Sequence, residues 1–304
     1  MRISTNTIYQ SGISKISALQ SDQTKLQQQI STGKRIASPS DDPVAAARAL
    51  SLSHAQEVNA KFADTRKTAQ TKLGTIESNL TSVTNLLVAA QSSLVAAGNG
   101  AYSNQERVSM ATEFNDSLQA LIGMANAKDA YGNYLYAGYQ TATQPFVAST
   151  AGANYQGDNG QQLLQVDSER QMAVNVSGDN LFKAGGNDIF ATLSSLVSLL
   201  NTPVTDATSQ AALTSGLATA MSSLSSSVDN VLNIRASVGN KLNELDALDI
   251  AGSDRDLQYS KSLSDIQDTD YASALSDLAK QQTIMEAAQK SFVSMTSLSL
   301  FKLI

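Results

Sequence analysis

Four prolines, at positions 39, 43, 145 and 203, leave two proline-free blocks of 101 residues each, 44–144 and 204–304. Proline removes an amide donor and clashes with the preceding helical turn, so a block without it is free to run as uninterrupted helix. Heptad spacing shows how that freedom is used. Ala69, Leu73, Ile76, Leu80, Val83, Leu87, Ala90, Leu94 and Ala97 alternate steps of four and three, and the phase runs back through Phe62, Ala55, Leu52 and Ala45. Leu217, Met221, Leu224, Val228, Val231, Val238, Leu242 and Leu245 keep the same rhythm in the second block, with Arg235 the one charged interruption. The spacing predicts two long helices with matching apolar stripes, a coiled-coil-like seam.

A third helix is signalled by Ser103 and, three residues on, Glu106, a capping box whose side chains satisfy the first free amides. Val108, Ala111, Leu118, Ile122 and Ala125 share one face of it and Met110, Phe114, Leu121 and Met124 another, as expected of a helix inside a bundle, with its end at Gly132. A fourth, shorter helix is expected from Asp188 through Leu193, Leu196 and Leu200 to Pro203. Residues 131–189 concentrate glycine and tyrosine in short runs and read as a small β insertion. The fold class is thus mainly α with a small β insertion. Three parts are expected: 1–42 with 255–304 as terminal coiled-coil segments, 43–137 with 187–254 as a helical bundle, and 138–186 as a small outward-facing β domain.

Composition removes several chemistries. The chain has no cysteine, so neither a disulfide nor a thiolate metal site is possible, and one histidine, His54, cannot supply the imidazoles of a typical zinc centre. Residues 51–254 carry 10 basic and 18 acidic side chains, a balance that repels a phosphate backbone. No nucleic-acid partner is expected, and no cofactor. Eighteen consecutive apolar residues occur nowhere, and Met1-Arg2-Ile3-Ser4-Thr5-Asn6 is not followed by an apolar segment, so neither membrane insertion nor a cleavable signal peptide is expected. Asp265, Asp268 and Asp270 lack the ligand series of a calcium loop and read as helix caps and solvated carboxylates. Asp41 and Asp42, adjacent in sequence, point apart in most conformations, which argues against paired-carboxylate catalysis. The glycines at 98, 100, 185 and 186 are not followed by the Lys-Ser/Thr of a phosphate loop and read as turns.

The termini carry their own seams. Gly12, Ile16, Leu19, Gln23, Leu26 and Ile30 form one; Tyr271, Leu275, Leu278, Gln282, Met285, Gln289 and Phe292 form the other. Each places glutamine where apolar residues are expected, which weakens an isolated pair and favours one register or oligomeric state. Packing on the same domain would produce the same spacing. The closing cluster Leu298, Leu300, Phe301, Leu303 and Ile304 favours assembly, because chain ends are ordinarily polar.

Ile30-Ser31-Thr32-Gly33-Lys34-Arg35-Ile36-Ala37-Ser38-Pro39-Ser40-Asp41-Asp42-Pro43 resembles the N-terminal signature of the flagellin superfamily. Local chemistry agrees: Gly33 suits a left-handed helix stop, Asp41 or Asp42 can accept the amides of the next helix, and Pro43 suits its first turn. Leu263, Ile266, Asp268, Asp270, Tyr271 and Ala272, a glutamine-rich helix and Leu298-Ser299-Leu300-Phe301 resemble the superfamily's other end. The middle, Tyr134-Leu135-Tyr136-Ala137-Gly138-Tyr139 with Pro145-Phe146 and Tyr155-Gln156-Gly157-Asp158, is similar to members that sit between hook and filament rather than to the filament subunit.

The resemblance implies a structural, non-catalytic subunit outside the cell, in a ring of copies of itself between the hook, or the first junction protein on it, and the filament. It implies ends that order on assembly, export without a cleavable signal, and a cytoplasmic export chaperone guarding the C-terminal helix. The assembly residues it implies are Ile16, Leu19, Gln23, Leu26, Ile30, Gly33, Arg35, Asp41, Asp42, Tyr271, Leu275, Leu278, Gln282, Met285, Gln289, Phe292, Leu298, Leu300 and Phe301. A short flagellin is the alternative within the superfamily, and an enzyme or a secreted coiled-coil effector the alternative outside it.

Overall fold

The computed structural model describes residues 5–100 and 102–297. Its elements in chain order are α1 (Thr5–Thr32), α2 (Pro43–Ala97), α3 (Asn104–Ala125), β1 (Phe146–Ser149), β2 (Gly152–Tyr155), β3 (Leu163–Asp167), β4 (Arg170–Ala173), α4 (Gly178–Phe182), α5 (Ile189–Asn201), α6 (Ala207–Gln267) and α7 (Tyr271–Ser297). The chain is mainly helical with four short strands in its middle, as the glycine and proline pattern requires.

Two compact units are formed, Ala60–Ser253 and, from both ends, Met1–Asn59 with Asp254–Ile304. The division falls inside α2 rather than at residue 42. The opening turns of α2 pair with the last turns of α6, where the Gln56 side-chain amide donates to Asp256 Oδ1 and to Ser260 Oγ, each at 3.0 Å.

In the larger unit the α2 seam from Ala69 to Ala97 is buried at every position the spacing named. Leu217, Leu224, Val228, Val231, Val238 and Leu245 of α6 are buried with it. The two helices run antiparallel, as polar rungs beside the seam show: Gln70 to Asp246 at 2.9 Å, and Arg235 donating twice to Glu77 Oε1 at 2.9 and 2.7 Å. A second arginine was not evident from the periodicity. Arg66 occupies the seam position between Phe62 and Ala69 and is 1% exposed. Its Nε meets Asp249 at 2.5 Å and its Nη1 donates to the Val166 carbonyl of β3 at 3.1 Å. Gly252 of α6 makes this possible, since a Cβ there would collide with the guanidinium. A buried charge is tolerable only when its donors are met, and here α6 and β3 meet them.

The α3 capping box forms as expected: Ser103 Oγ accepts from the Glu106 amide at 3.3 Å, and Glu106 Oε2 accepts from the Ser103 amide at 2.6 Å. Along the helix Val108 is 39% exposed, so the first turns are less enclosed than the two-faced pattern suggests. The helix stops at Ala125, seven residues before Gly132. Asn126 diverts the chain by bracketing Phe146, its Nδ2 donating to the Phe146 carbonyl at 2.8 Å and its Oδ1 accepting the Phe146 amide at 2.9 Å. Asp188 caps α5 by accepting the amides of Phe190 and Ala191.

The strands form two antiparallel hairpins, β1–β2 with Phe146 opposite Tyr155, and β3–β4 with an irregularity between Gln165 and Asp167. Phe146 packs 4.9 Å from the Phe190 ring and 5.3 Å from Phe182, so β1 reaches into the helical core. Arg170 fastens β4 to α6 by a bidentate contact with Glu244 at 2.5 and 2.8 Å. Tyr136, Phe146, Val166, Met172 and Phe182 belong to the same core as Leu80 and Leu224. Residues 138–186 therefore form no compact unit of their own. One 18-residue stretch of α2 reaches a mean hydropathy of 1.3, enough by composition alone to cross a bilayer; its seam residues are buried in the core, while Val88 and Val95 face outward.

Candidate functional site

The feature that composition and periodicity singled out, the two chain ends, is built in the smaller unit. α1 and α7 pack antiparallel: Gly12 and Tyr9 near the start of α1 meet Phe292 near the end of α7, while Gln29 near the end of α1 meets Thr269, just before α7. Gly12 carries no side chain because Phe292 fills the space, its ring lying 2.6 Å from where a Cβ would be. The α1 seam is the one the spacing gives: Gly12, Ile16, Leu19, Gln23, Leu26 and Ile30 are all partly buried.

On α7 the seam is shifted. Its less exposed face is Ala274, Leu278, Gln281, Met285, Ala288 and Phe292, with Ala274 and Met285 buried. Tyr271, Leu275, Gln282 and Gln289 are exposed. Both series alternate four and three and share Leu278, Met285 and Phe292. Spacing alone cannot separate them; burial does, with Ala274 and Ala288 turned inward while Leu275 and Gln289 are exposed. The partly buried polar residues of the pair include Gln23, Gln29 and Gln281, and the Gln281 Oε1 is buried without a hydrogen-bond partner among the described residues. An unmet buried acceptor costs roughly 1–3 kcal/mol, so the pair is weaker than its length suggests.

Exposed apolar side chains flank the seam on both sides. Ile8, Tyr9 and Ile13 of α1 and Leu275, Ile284, Val293 and Met295 of α7 are 41 to 63% exposed. Helices of an ordinary globular domain keep such residues on one stripe. Leu298, Leu300 and Phe301 lie outside the described residues.

The breaks on either side of the pair are clipped to each other. Gly33 ends α1 at φ +69°, and its carbonyl accepts the Thr269 amide at 2.9 Å. The Arg35 amide donates to the Gln267 carbonyl at 2.6 Å, and its Nη2 to the Ile266 carbonyl at 2.8 Å. A two-residue ladder, Lys34 opposite Asp268, therefore joins the α1–α2 loop to the α6–α7 break. The aspartates divide the capping between them. Asp42 Oδ1 accepts the Ala45 amide in the first turn of α2, whereas Asp41 Oδ2 accepts the Ala37 and Ser38 amides and its Oδ1 pairs with Lys25 of α1 at 2.9 Å. Asp270 caps α7 through the Ala272 and Ser273 amides. Among the described residues no group of three or more His, Asp or Glu is placed to hold a metal ion.

The Lys25 ammonium, then the Ser38 amide, lower the Asp41 carboxyl from 3.8 to about 2. A lowered folded-state pKa stabilises above the unfolded value and loses that contribution as pH falls through the folded one. Anchorage of the 36–41 loop is thus expected to be intact from neutral pH to about 4 and to be lost between about 4 and 2. Amide-proton chemical shifts of Ala37 and Ser38 followed from pH 7 to 2 check this; a midpoint near 4 would contradict it.

A family model described as the bacterial flagellin N-terminal helical region matches residues 3–141. Over 317 aligned positions, covering all of this chain and 99% of the relative, the sequence is 37% identical to flagellar hook-associated protein 3 of Escherichia coli, strain K12. The same identity and coverage hold for flagellar hook-associated protein 3 of Salmonella typhimurium. Among solved structures, a putative flagellar hook-associated protein from Vibrio parahaemolyticus matches with a TM-score of 0.69 at 24% identity, covering 75% of this chain and 100% of that one. The flagellar junction protein FlgL from Legionella pneumophila matches with a TM-score of 0.64 at 18% identity, covering 73% and 100%. At those identities the likeness is one of fold.

Proposed function

The chain belongs to the flagellar hook-associated protein 3 family, structural proteins of the bacterial flagellum, and on that premise we propose that it forms a ring at the hook–filament junction, connecting the hook and its first junction protein to the filament. The observation that carries the proposal is the α1–α7 pair: two chain ends joined by a seam with an unmet glutamine and with large apolar side chains still exposed beside it. Such a pair is marginal alone and gains its remaining burial from neighbours, so ordering is coupled to assembly. The neighbours are copies of itself, a neighbouring hook-associated protein on the hook side, and flagellin at the filament side. The exposed apolar side chains would also need cover before export, the task of a cytoplasmic chaperone, and passage through the flagellar export channel would need no cleavable signal peptide. The finished assembly would be extracellular.

Deleting the gene from a motile strain tests the proposal. Electron microscopy is expected to show hooks without filaments, with monomeric flagellin in the culture supernatant. Filaments of normal length, or filament loss with no flagellin released, would sink it. A short flagellin is the second reading within the superfamily; full-length identity of 37% to the hook-associated proteins favours the first.

A further inference from the structure

A concave site of about 350 Å³ in the larger unit plays no part in the terminal pair. Its walls include Lys72 of α2, Asn133, Tyr134, Tyr139 and Thr141 of the segment joining α3 to β1, and Gln162 ahead of β3. Its volume lies at the lower end of small-molecule sites, about 300–1,000 Å³.

The walls are fixed in advance. Gln162 donates its amide to Asn175 Oδ1 and its Nε2 to the Gly138 carbonyl, both at 2.8 Å, and its Oε1 accepts from Lys72 Nζ at 3.2 Å. Tyr139 is 65% exposed, yet it is held at three points. Its amide donates to Asp158 Oδ1 and its hydroxyl to the Gln161 carbonyl, each at 2.8 Å, and the edge of its ring presses on Gly160, where no Cβ would fit. An exposed aromatic ring held this way presents a flat apolar face at little entropic cost to whatever stacks on it.

Around that face stand polar groups with capacity to spare. Lys72 uses one of its three donors and has no carboxylate within ion-pair distance among the described residues. The Tyr134 and Thr141 hydroxyls make no hydrogen bond there either. Tyr134 is steadied by Lys128, whose ammonium lies 4.5 Å from the ring centroid. One immobile ring face, two free hydroxyls and an ammonium with free donors match a pyranose sugar, whose C–H face is apolar and whose rim is hydroxyl groups. One lining cation, with the Asp129 carboxylate in the same wall and no glycine-rich loop, is a poor match for a nucleotide phosphate.

We propose that this pocket binds a saccharide of one or two pyranose rings, stacked on Tyr139 and hydrogen-bonded by Lys72, Tyr134 and Thr141, with Gln162 orienting Lys72. The full chain is screened on an array of defined glycans, and methyl glycosides of the bound sugars are titrated by saturation-transfer NMR. Binding with Kd of about 0.1–1 mM is expected. Saturation should be strongest on the C–H protons of one sugar face. Tyr139→Ala and Lys72→Met should each weaken binding by about tenfold or more. Thermal unfolding reports whether a variant folds; should Tyr139→Ala melt early, Lys72→Met alone decides. An array without bound glycans, or affinity kept within about twofold in the folded variants, overturns the proposal.

Discussion

Phe146→Ala is expected to lower the unfolding free energy of the larger unit by about 3–5 kcal/mol, the range for deleting a fully enclosed aromatic ring. The ring is 0% exposed and lies between Tyr155 on the paired strand, Phe182 of α4 and Phe190 of α5, at centroid distances of 5.1, 5.3 and 4.9 Å. Three different elements thus meet on one side chain. Collapse into the vacated space is hindered because the Phe146 backbone is pinned on both sides by Asn126. Phe146→Leu keeps much of the apolar volume and is expected to lose well under half as much. Urea unfolding followed by circular dichroism measures both. A loss below about 1.5 kcal/mol for the alanine variant would mean that the hairpin is peripheral rather than built into the core.

What could be read from the sequence follows from how many times a signal repeats. The α2 seam recurs over many turns, so Ala69 through Ala97 could be placed on one face without any structure, and every one is buried. Arg66 falls in the same phase, but an arginine in a seam is ordinarily counted as an interruption. What admits it is Gly252, 186 positions away in sequence, and no local pattern pairs the two. The α7 face failed for a different reason. Over 27 residues two interleaved series fit equally, and the one with larger apolar residues was not the one that packs. Leu275 and Tyr271 are exposed, whereas Ala274 beside them is buried. Competition also ends α3 early: Asn126 spends its side chain on Phe146, twenty positions on, a pairing that no local signal announces, whereas Gly132 is a local stop signal. The loop at 33–42 read well because its signals are local, a glycine with positive φ and an aspartate before a proline. Only the division of labour between Asp41 and Asp42 needed coordinates.

Gly33→Val is expected to abolish swimming when the variant replaces the native chain, with flagellin accumulating in the medium, while urea unfolding of the larger unit stays unchanged. Left-handed backbone costs an ordinary L-residue roughly 1–2 kcal/mol, and a β-branched one more. Gly33 sits at φ +69°, and the Tyr271 hydroxyl is 2.9 Å from where a Cβ would be. Both the backbone and the first residue of α7 would have to move. The Gly33 carbonyl would then lose the Thr269 amide, and with it the ladder that holds the α1–α2 loop against the α6–α7 break. The terminal pair already carries an unmet Gln281 acceptor, so it has little stability to spare. Asparagine tolerates the left-handed region far better than valine, and Gly33→Asn is expected to retain substantial motility despite a comparable side-chain volume. That contrast separates backbone strain from crowding against Tyr271. Equal failure of both variants would place the constraint in the Tyr271 contact. Normal swimming with valine would show that the ladder at the chain ends is dispensable for the junction.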